Sequence, residues 1–183
     1  MTTTKDYQLH RLISREQIAS LVEHLASRIS RDYEDKELVL ICVLKGAFIF
    51  LSDLVRHLRT PVVIDFIRAA SYGAGMKTSG VIELTKDIEV PLENRDVLIV
   101  EDIIDTGRTL KFLKERLLLA NPRSVKVCAL LDKRARREVE IEADYVGKEI
   151  DDLFVVGYGI DFNDLYRNLP EICYVTPIAP PQL

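Results

Sequence analysis

The sequence predicts an α/β fold: a mostly parallel, twisted sheet with helices on both faces and a small hood lobe built mainly from the C-terminal segment. Three observations predict it. The runs at 38–44, 97–100 and 125–131 are dense in Val, Ile and Leu without polar alternation, as in strands buried on both faces. Helical patterns alternate with these runs, the rhythm of a parallel sheet covered on both sides. Beyond Leu153 that rhythm breaks into short apolar runs holding four of the seven prolines.

Residues 14–31 form the clearest helix. Ser14 and Gln17 have the spacing of a capping box, and Ile18, Leu21, Val22, Leu25 and Ile29 make one apolar stripe. The buried strand at 38–44 and a helix at 47–59 follow, then a strand at 62–68. The stretch SYGAGMKTSG, 71–80, has three glycines and few core-forming residues, so it is expected to be a mobile loop. A short strand is expected at 81–85 and a stronger one at 97–100. A helix at 109–120 closes on Asn121-Pro122, and the strand at 125–131 completes the core. No repeat or flexible linker divides the chain. A single domain is expected, with a core of about 14–150 and a hood of about 1–13 and 151–183.

The 183 residues are 48% hydrophobic and 30% charged, enough for one domain that buries roughly 70% of its unfolded surface. A net charge of −4 and the lack of basic-aromatic interleaving weigh against a nucleic-acid partner. The apolar run at 38–52 is too short to span a bilayer and is broken by Lys45-Gly46, so no membrane role is expected. Cys42, Cys128 and Cys173 sit among apolar neighbours without CxxC spacing. They read as buried thiols of a cytoplasmic protein. His10, His24 and His57 have no partner pattern and receive no role.

Sites in such folds lie at the carboxyl ends of strands. Two loops there carry unusual chemistry: Lys45-Gly46, and the segment from Glu101 to Thr109. Asp105-Thr106-Gly107-Arg108-Thr109 joins a strand to a helix through a central glycine. Such a turn can aim backbone N–H groups and a helix N-terminus at a phosphate. Asp105 or Thr106 could equally be a plain helix cap. The Walker pattern is absent. Glu101 and Asp102 lie too far ahead of the helix to cap it. Adjacent carboxylates suit a sugar diol or Mg²⁺. A diol beside a phosphate pocket suggests ribose 5-phosphate.

VLIVEDIIDTGRTL, 97–110, resembles the phosphoribosyl-pyrophosphate (PRPP) motif of type I phosphoribosyltransferases, and in its EDIIDTG form the hypoxanthine-guanine branch. Four further stretches resemble that branch in the same order: Leu44-Lys45-Gly46 its pyrophosphate loop, Ser71-Tyr72-Gly73 the start of its catalytic flap, and Leu131-Asp132-Lys133-Arg134 and Phe154-Val155-Val156-Gly157-Tyr158 its purine segments. Asp161 and Arg167 fall where its metal and pyrophosphate contacts lie. Together the matches cover residues 9–176.

The resemblance implies transfer of a phosphoribosyl group from PRPP to hypoxanthine or guanine, giving IMP or GMP and pyrophosphate with Mg²⁺. It implies that Glu101 and Asp102 hold the ribose hydroxyls, directly or through Mg²⁺, and that Thr106, Gly107, Arg108 and Thr109 cradle the 5-phosphate. Arg108 stands where relatives often have Lys; backbone donors dominate that contact. By the same resemblance Asp105 is the general base at purine N7, and Ile103 packs on the base. Lys45 and Gly46 bind pyrophosphate through backbone N–H groups, next to a Leu44–Lys45 peptide that can be cis, and Arg167 assists. Lys133 donates to purine O6, Phe154 stacks on the ring, Val155 offers backbone groups to its edge, and Asp161 supports a second Mg²⁺. The loop opened by Ser71, Tyr72 and Gly73 would close over the centre and exclude water. Without the resemblance, Lys133 to Arg137 reads as a solvated face, Arg167 as a surface arginine and Phe154 and Ile103 as core.

Relatives form homodimers or homotetramers, and one of these is expected. Two other readings stay open at this point. One is a nucleotide-sensing RNA-binding regulator of the same fold. The other is an enzyme acting on another base: Lys133 and Phe154-Val155 argue against adenine and orotate, but not against xanthine.

Overall fold

The computed structural model describes residues 7–71 and 82–178. Twelve strands and helices occur among them, in the order β1 (Tyr7–Ile13), α1 (Arg15–Asp32), β2 (Leu38–Val43), α2 (Phe48–His57), β3 (Val62–Ser71), β4 (Ile82–Lys86), β5 (Asp96–Ile104), α3 (Arg108–Leu118), β6 (Ser124–Asp132), β7 (Tyr145–Glu149), β8 (Val155–Val156) and β9 (Ile172–Pro177). A short 3₁₀ turn, Arg134–Arg136, follows β6.

The main sheet has the order β4-β3-β2-β5-β6-β7. Its pairings are parallel except β3 with β4. Successive side chains of a strand face opposite ways, so a strand apolar at every position needs cover on both sides. Leu38, Leu40 and Cys42 of β2 join Leu98 and Val100 of β5 under α1 and α2. Val39, Ile41 and Val43 join Val97 and Ile99 on the opposite face, under Leu110, Leu113 and Leu117 of α3. Helix α1 starts at the expected capping box: Gln17 N–H donates to Ser14 Oγ, and Ser14 N–H donates to Gln17 Oε1. No helix among the described residues is long and apolar enough to cross a membrane. The three cysteines are buried and free. Burial pushes the Cys42 thiol up to about 12, and those of Cys128 and Cys173 also upward.

The hood is an antiparallel sheet, β1-β9-β8, which joins the first described strand to the C-terminal segment. Four strands went unforeseen in the sequence: β1, β7, β8 and β9. Strand β5 also runs four residues past the expected end at Val100. Glu101 and Asp102 are therefore strand residues, not loop residues: Glu101 pairs with Ala129 and Ile103 with Leu131.

In the parallel sheet, β2 and β5 are neighbours although α2, β3 and β4 intervene in sequence. The chain leaves β2 toward β3 on one side, and leaves β5 toward β6 on the other. The crevice beyond the carboxyl ends of β2 and β5 is the topological switch point, where ligands bind in open α/β sheets.

Candidate active site

A cleft of about 280 Å³ occupies that crevice. Its lining includes Lys45 and Gly46 after β2; Glu101, Asp102 and Ile103 at the end of β5; Asp105, Thr106, Gly107 and Thr109 beyond it; and Asp161 and Arg167 from the hood segment. Eleven of the residues singled out from the sequence thus meet at one place. A larger hollow of about 690 Å³ lies between α1 and the entry to β3, lined by Ser27, Arg31 and Arg59 among others, and shares none of them.

Beyond β5, the chain is braced from behind. The carbonyls of Ile104, Asp105 and Thr106 accept in turn from Lys133 N–H at 2.9 Å, Arg137 Nη1 at 2.8 Å and Glu138 N–H at 3.0 Å. Each peptide directs its N–H opposite its C=O, so carbonyls tied back leave the loop's N–H groups turned to the cleft. Gly107 completes the cradle at φ +81°. A Cβ there would lie 2.5 Å from Ile141 Cγ2 and 2.9 Å from Arg137 Cδ, so only glycine fits. The α3 N-terminus then adds positive partial charge to these donors. Gly107 is also the N-cap residue, with no side-chain cap bond, so Asp105 does not cap α3. Thr106 Oγ1 accepts only a long bond from Arg108 N–H, 3.4 Å. The Arg108 side chain pairs with Glu138 at 2.6 Å, which leaves its backbone as its contribution to the cradle.

Glu101 and Asp102 are each 8% exposed, and no described residue forms an ion pair with either. Their hydrogen bonds are to the backbone: Asp102 N–H donates to Glu101 Oε1 at 3.2 Å and Ile103 N–H to Asp102 Oδ1 at 2.8 Å. Burial, followed by the neighbouring Asp102 carboxylate, raises Glu101 well above the usual range; burial also raises Asp102. Two buried oxygen-donor groups without a counter-ion are what a hard cation fits. Among the described residues no three acidic, His or Cys side chains gather as a protein-only cage. A Mg²⁺ ion here would draw on ligand oxygens and water as well, as it commonly does.

The Leu44–Lys45 peptide is cis. A Cβ on Gly46 would stand 1.8 Å from Asp102 Oδ2, so the glycine makes room for that carboxylate. The hood closes on the same turn. A Cβ on Gly159, at φ +100°, would lie 2.0 Å from the Gly46 carbonyl oxygen. Arg167 Nη1 donates to Gly159 O at 2.7 Å, while Nη2 lies 2.6 Å from Asp161 Oδ1. The Asp161 carboxylate is thus already engaged by Arg167, and it also accepts from Asp164 N–H at 2.8 Å.

Asp105 faces a cationic wall: Lys133 Nζ at 3.7 Å and Arg136 Nε at 3.2 Å from its carboxylate oxygens. Lys133 is only 6% exposed, and Arg137 braces the loop and pairs with Asp132, so the two ends of this run are turned inward while Arg134, Ala135 and Arg136 between them are exposed. Lys133, Phe154, Val155 and Arg108 lie outside the cleft lining. Phe154 is 53% exposed and meets Phe162 edge to face at 5.2 Å. Its carbonyl accepts from Val175 N–H. That makes Val155–Tyr174 a non-hydrogen-bonded pair, with the N–H and C=O of Val155 directed away from β9 at the sheet's edge. Ser71 ends β3; Tyr72 and Gly73, the rest of the expected flap start, lie outside the described residues.

Three residues of this neighbourhood were not singled out in the sequence: Arg136, Arg137 and Asp164. The first two could have been found from the unusual density of cations just after a core strand. Asp164 had no local signal.

A family model described as phosphoribosyl transferase domain matches residues 11–163. A hypoxanthine-guanine phosphoribosyltransferase of Aquifex aeolicus is 44% identical over 176 residues, 96% of this chain and 99% of that protein. One of Staphylococcus aureus is 44% identical over 166 residues, 91% of this chain and 93% of the other. The crystal structure of a hypoxanthine-guanine phosphoribosyltransferase from Bacillus anthracis superposes with a TM-score of 0.87 at 46% identity, covering 93% of this chain and all of that one. With this extent of match, and with the cradle and paired carboxylates at the switch point of its sheet, the chain belongs to the phosphoribosyltransferase family.

Proposed function

We propose that this chain is a purine-salvage enzyme that transfers the phosphoribosyl group of PRPP to a 6-oxopurine, hypoxanthine or guanine, releasing pyrophosphate. The observation that carries this reading is the meeting of three features in one cleft: the Gly46 turn, the Glu101–Asp102 pair and the N–H cradle of residues 105–109. Relatives of the same name across nearly the full chain support it.

The cradle of Thr106, Gly107, Arg108 and Thr109 holds the 5-phosphate, and Glu101 and Asp102 address the ribose hydroxyls. Glu101 and Asp102, together with ligand oxygens, would hold Mg²⁺, and Asp161 would support a second ion; their chemistry there would be to neutralise charge on the PRPP oxygens. The N–H groups of Lys45 and Gly46, with the Arg167 fork, bind the pyrophosphate leaving group. As the base nitrogen bonds to the anomeric carbon and pyrophosphate departs, Asp105 accepts the N7 proton. Lys133 donates to O6. The two groups are 3.7 Å apart, and N7 and O6 are neighbours on one purine edge, so a single base can meet both. An adenine amino group would oppose the Lys133 ammonium donor to donor. Ile103 packs on the base, Phe154 stacks on it and the outward backbone groups of Val155 read its edge. The hood and core together act as one domain, in a homodimer or homotetramer of the cytoplasm.

The test is release of pyrophosphate from PRPP and Mg²⁺ on addition of hypoxanthine, guanine or xanthine in parallel. Turnover of hypoxanthine or guanine is expected. No turnover of either refutes the reading, and xanthine preferred over both would move the chain to the xanthine-preferring enzymes.

A further inference from the structure

Asp164 stands on the two-residue turn Asn163–Asp164. Positive φ angles of 53° and 61°, closed by the Phe162–Leu165 bridge, give it the type I′ form. Its Oδ1 accepts from Lys45 Nζ at 2.9 Å and lies 3.4 Å from Arg167 Nη2. Lys45 belongs to the Gly46 turn after β2, and Arg167 comes from the hood, so one carboxylate oxygen joins the two cations that flank one part of the cleft. The Lys45 hydrogen bond, then that of Arg167, holds the Asp164 carboxyl below the usual range, so it is charged at neutral pH. The contact is also open to water: the Lys45 and Asp164 side chains are 48% and 71% exposed. An exposed pair of this kind is weak and can be displaced.

We propose that Asp164 is a resident counter-ion of the pyrophosphate subsite. It competes with the pyrophosphate group for Lys45 and Arg167, and so weakens ligands that carry pyrophosphate relative to those with only a 5-phosphate. The proposal rests on the phosphoribosyltransferase reading of the cleft. An entering pyrophosphate offers the two cations more oxygens and more charge than one carboxylate. Asp164 must release them and then stands as a like charge beside the ligand. The same repulsion favours departure of the pyrophosphate product. A nucleotide product reaches the cradle without disturbing this pair.

The experiment is calorimetric titration of wild type, Asp164→Asn and Asp164→Gly with pyrophosphate, PRPP and IMP, each with Mg²⁺ and at two salt concentrations. Asn and Gly both accept the positive φ of this turn, so the two variants remove the charge without straining the backbone. Pyrophosphate and PRPP are expected to bind about 3–10-fold more tightly to both variants at low salt, the scale of an exposed pair and a screened repulsion removed together. The gain should shrink near 0.5 M salt, where screening lengths are only a few Å. IMP affinity should change less than about twofold, a split that a merely structural role would not produce. Unchanged or weaker pyrophosphate binding in both variants, with wild type binding normally, overturns the proposal; weaker binding would make Asp164 a ligand of the substrate's cation. Failure of wild type to bind pyrophosphate at all would instead overturn the reading of the cleft, and the proposal with it.

Discussion

Substituting Gly46 with alanine tests whether the fit between the β2 turn and the buried carboxylates is what makes the cleft work. The added Cβ would lie 1.8 Å from Asp102 Oδ2 and 2.6 Å from its Cγ, where ordinary contact begins near 3.4 Å, so one group must yield by about 1.6 Å. Asp102 has little freedom to do so: it is buried, and its Oδ1 is held by Ile103 N–H at 2.8 Å. Forcing a methyl into a packed site costs typically 1–3 kcal/mol, about 2–12 °C in Tm for a chain of this size. A displacement of about 1 Å at a substrate-positioning group costs on the order of 10²-fold in rate. We expect kcat/KM for PRPP to fall by about that factor, with the Tm loss measured in a thermal melt. The double variant Gly46→Ala/Asp102→Ala removes the atoms that clash. It should recover most of the stability lost on going from Gly46 to alanine and none of the activity, with a coupling of about 1–3 kcal/mol. Activity of Gly46→Ala within threefold of wild type, or zero coupling in the cycle, refutes the reasoning.

Asp105→Asn should lower kcat by about 10²–10⁴-fold while PRPP affinity, by direct titration, changes little. Its pair with Arg136 is half-exposed and worth little, but Lys133 is buried, so stability should fall by about 1–3 kcal/mol; equal losses in kcat and affinity would indicate a structural role. Glu101→Gln should remove a buried repulsion in the metal-free protein. The folded-state pKa of Glu101 is raised, so between its ordinary 4.5 and that higher value the folded state binds more protons than the unfolded one. Wild-type stability therefore falls as pH rises through this interval. The variant should be more stable by about 1–2 kcal/mol at pH 8, a fraction of the roughly 4 kcal/mol between like charges 4 Å apart at an effective dielectric of 20, and by less at pH 5. Denaturant melts at the two pH values check this, and a variant destabilised equally at both would contradict it.

The parts of the fold that were legible in the sequence are those with a local cause. The capping box of α1, and the runs of β2 and β6 apolar at nearly every position, announce themselves within a few residues. Strand β7 does not. It has five residues, and its Gly147 is required by a neighbour: a Cβ would lie 2.5 Å from the Leu130 carbonyl oxygen. Strands β1 and β9 pair across the length of the chain, Tyr7 with Pro177, and each is only half-buried. Glu101 and Asp102 looked like loop residues because carboxylates are poor strand formers. Pairing of the flanking positions, Glu101 with Ala129 and Ile103 with Leu131 of β6, overrides that preference. The strand holds the carboxylates in place, and the role proposed for them accounts for charge at that position.

The site was legible to the extent that its chemistry is contiguous. Residues 101–109 contain the carboxylate pair, the proposed base and the proposed phosphate cradle within one strand-turn-helix, so their spacing alone suggests phosphate beside hydroxyls. The pyrophosphate side has no such continuity. Gly46 and Gly159 meet backbone to side-chain position across the core and hood. Tyr158, between two positive-φ glycines, is anchored by donating its hydroxyl to Asp53 of α2 at 2.6 Å. Arg167 then bonds the Gly159 carbonyl, and Asp164 bridges back to Lys45. Each link joins residues that are over a hundred positions apart or sit in a turn whose shape depends on the other partner. A cation read singly, Lys45 or Arg167, is a surface residue by any local measure; the contacts through Asp164 bring the two together at the cleft. With the roles proposed above, pyrophosphate contacts fall largely on the Lys45–Arg167 side of the cleft and base chemistry at Asp105, so substitutions in the two groups should separate binding of pyrophosphate from proton transfer.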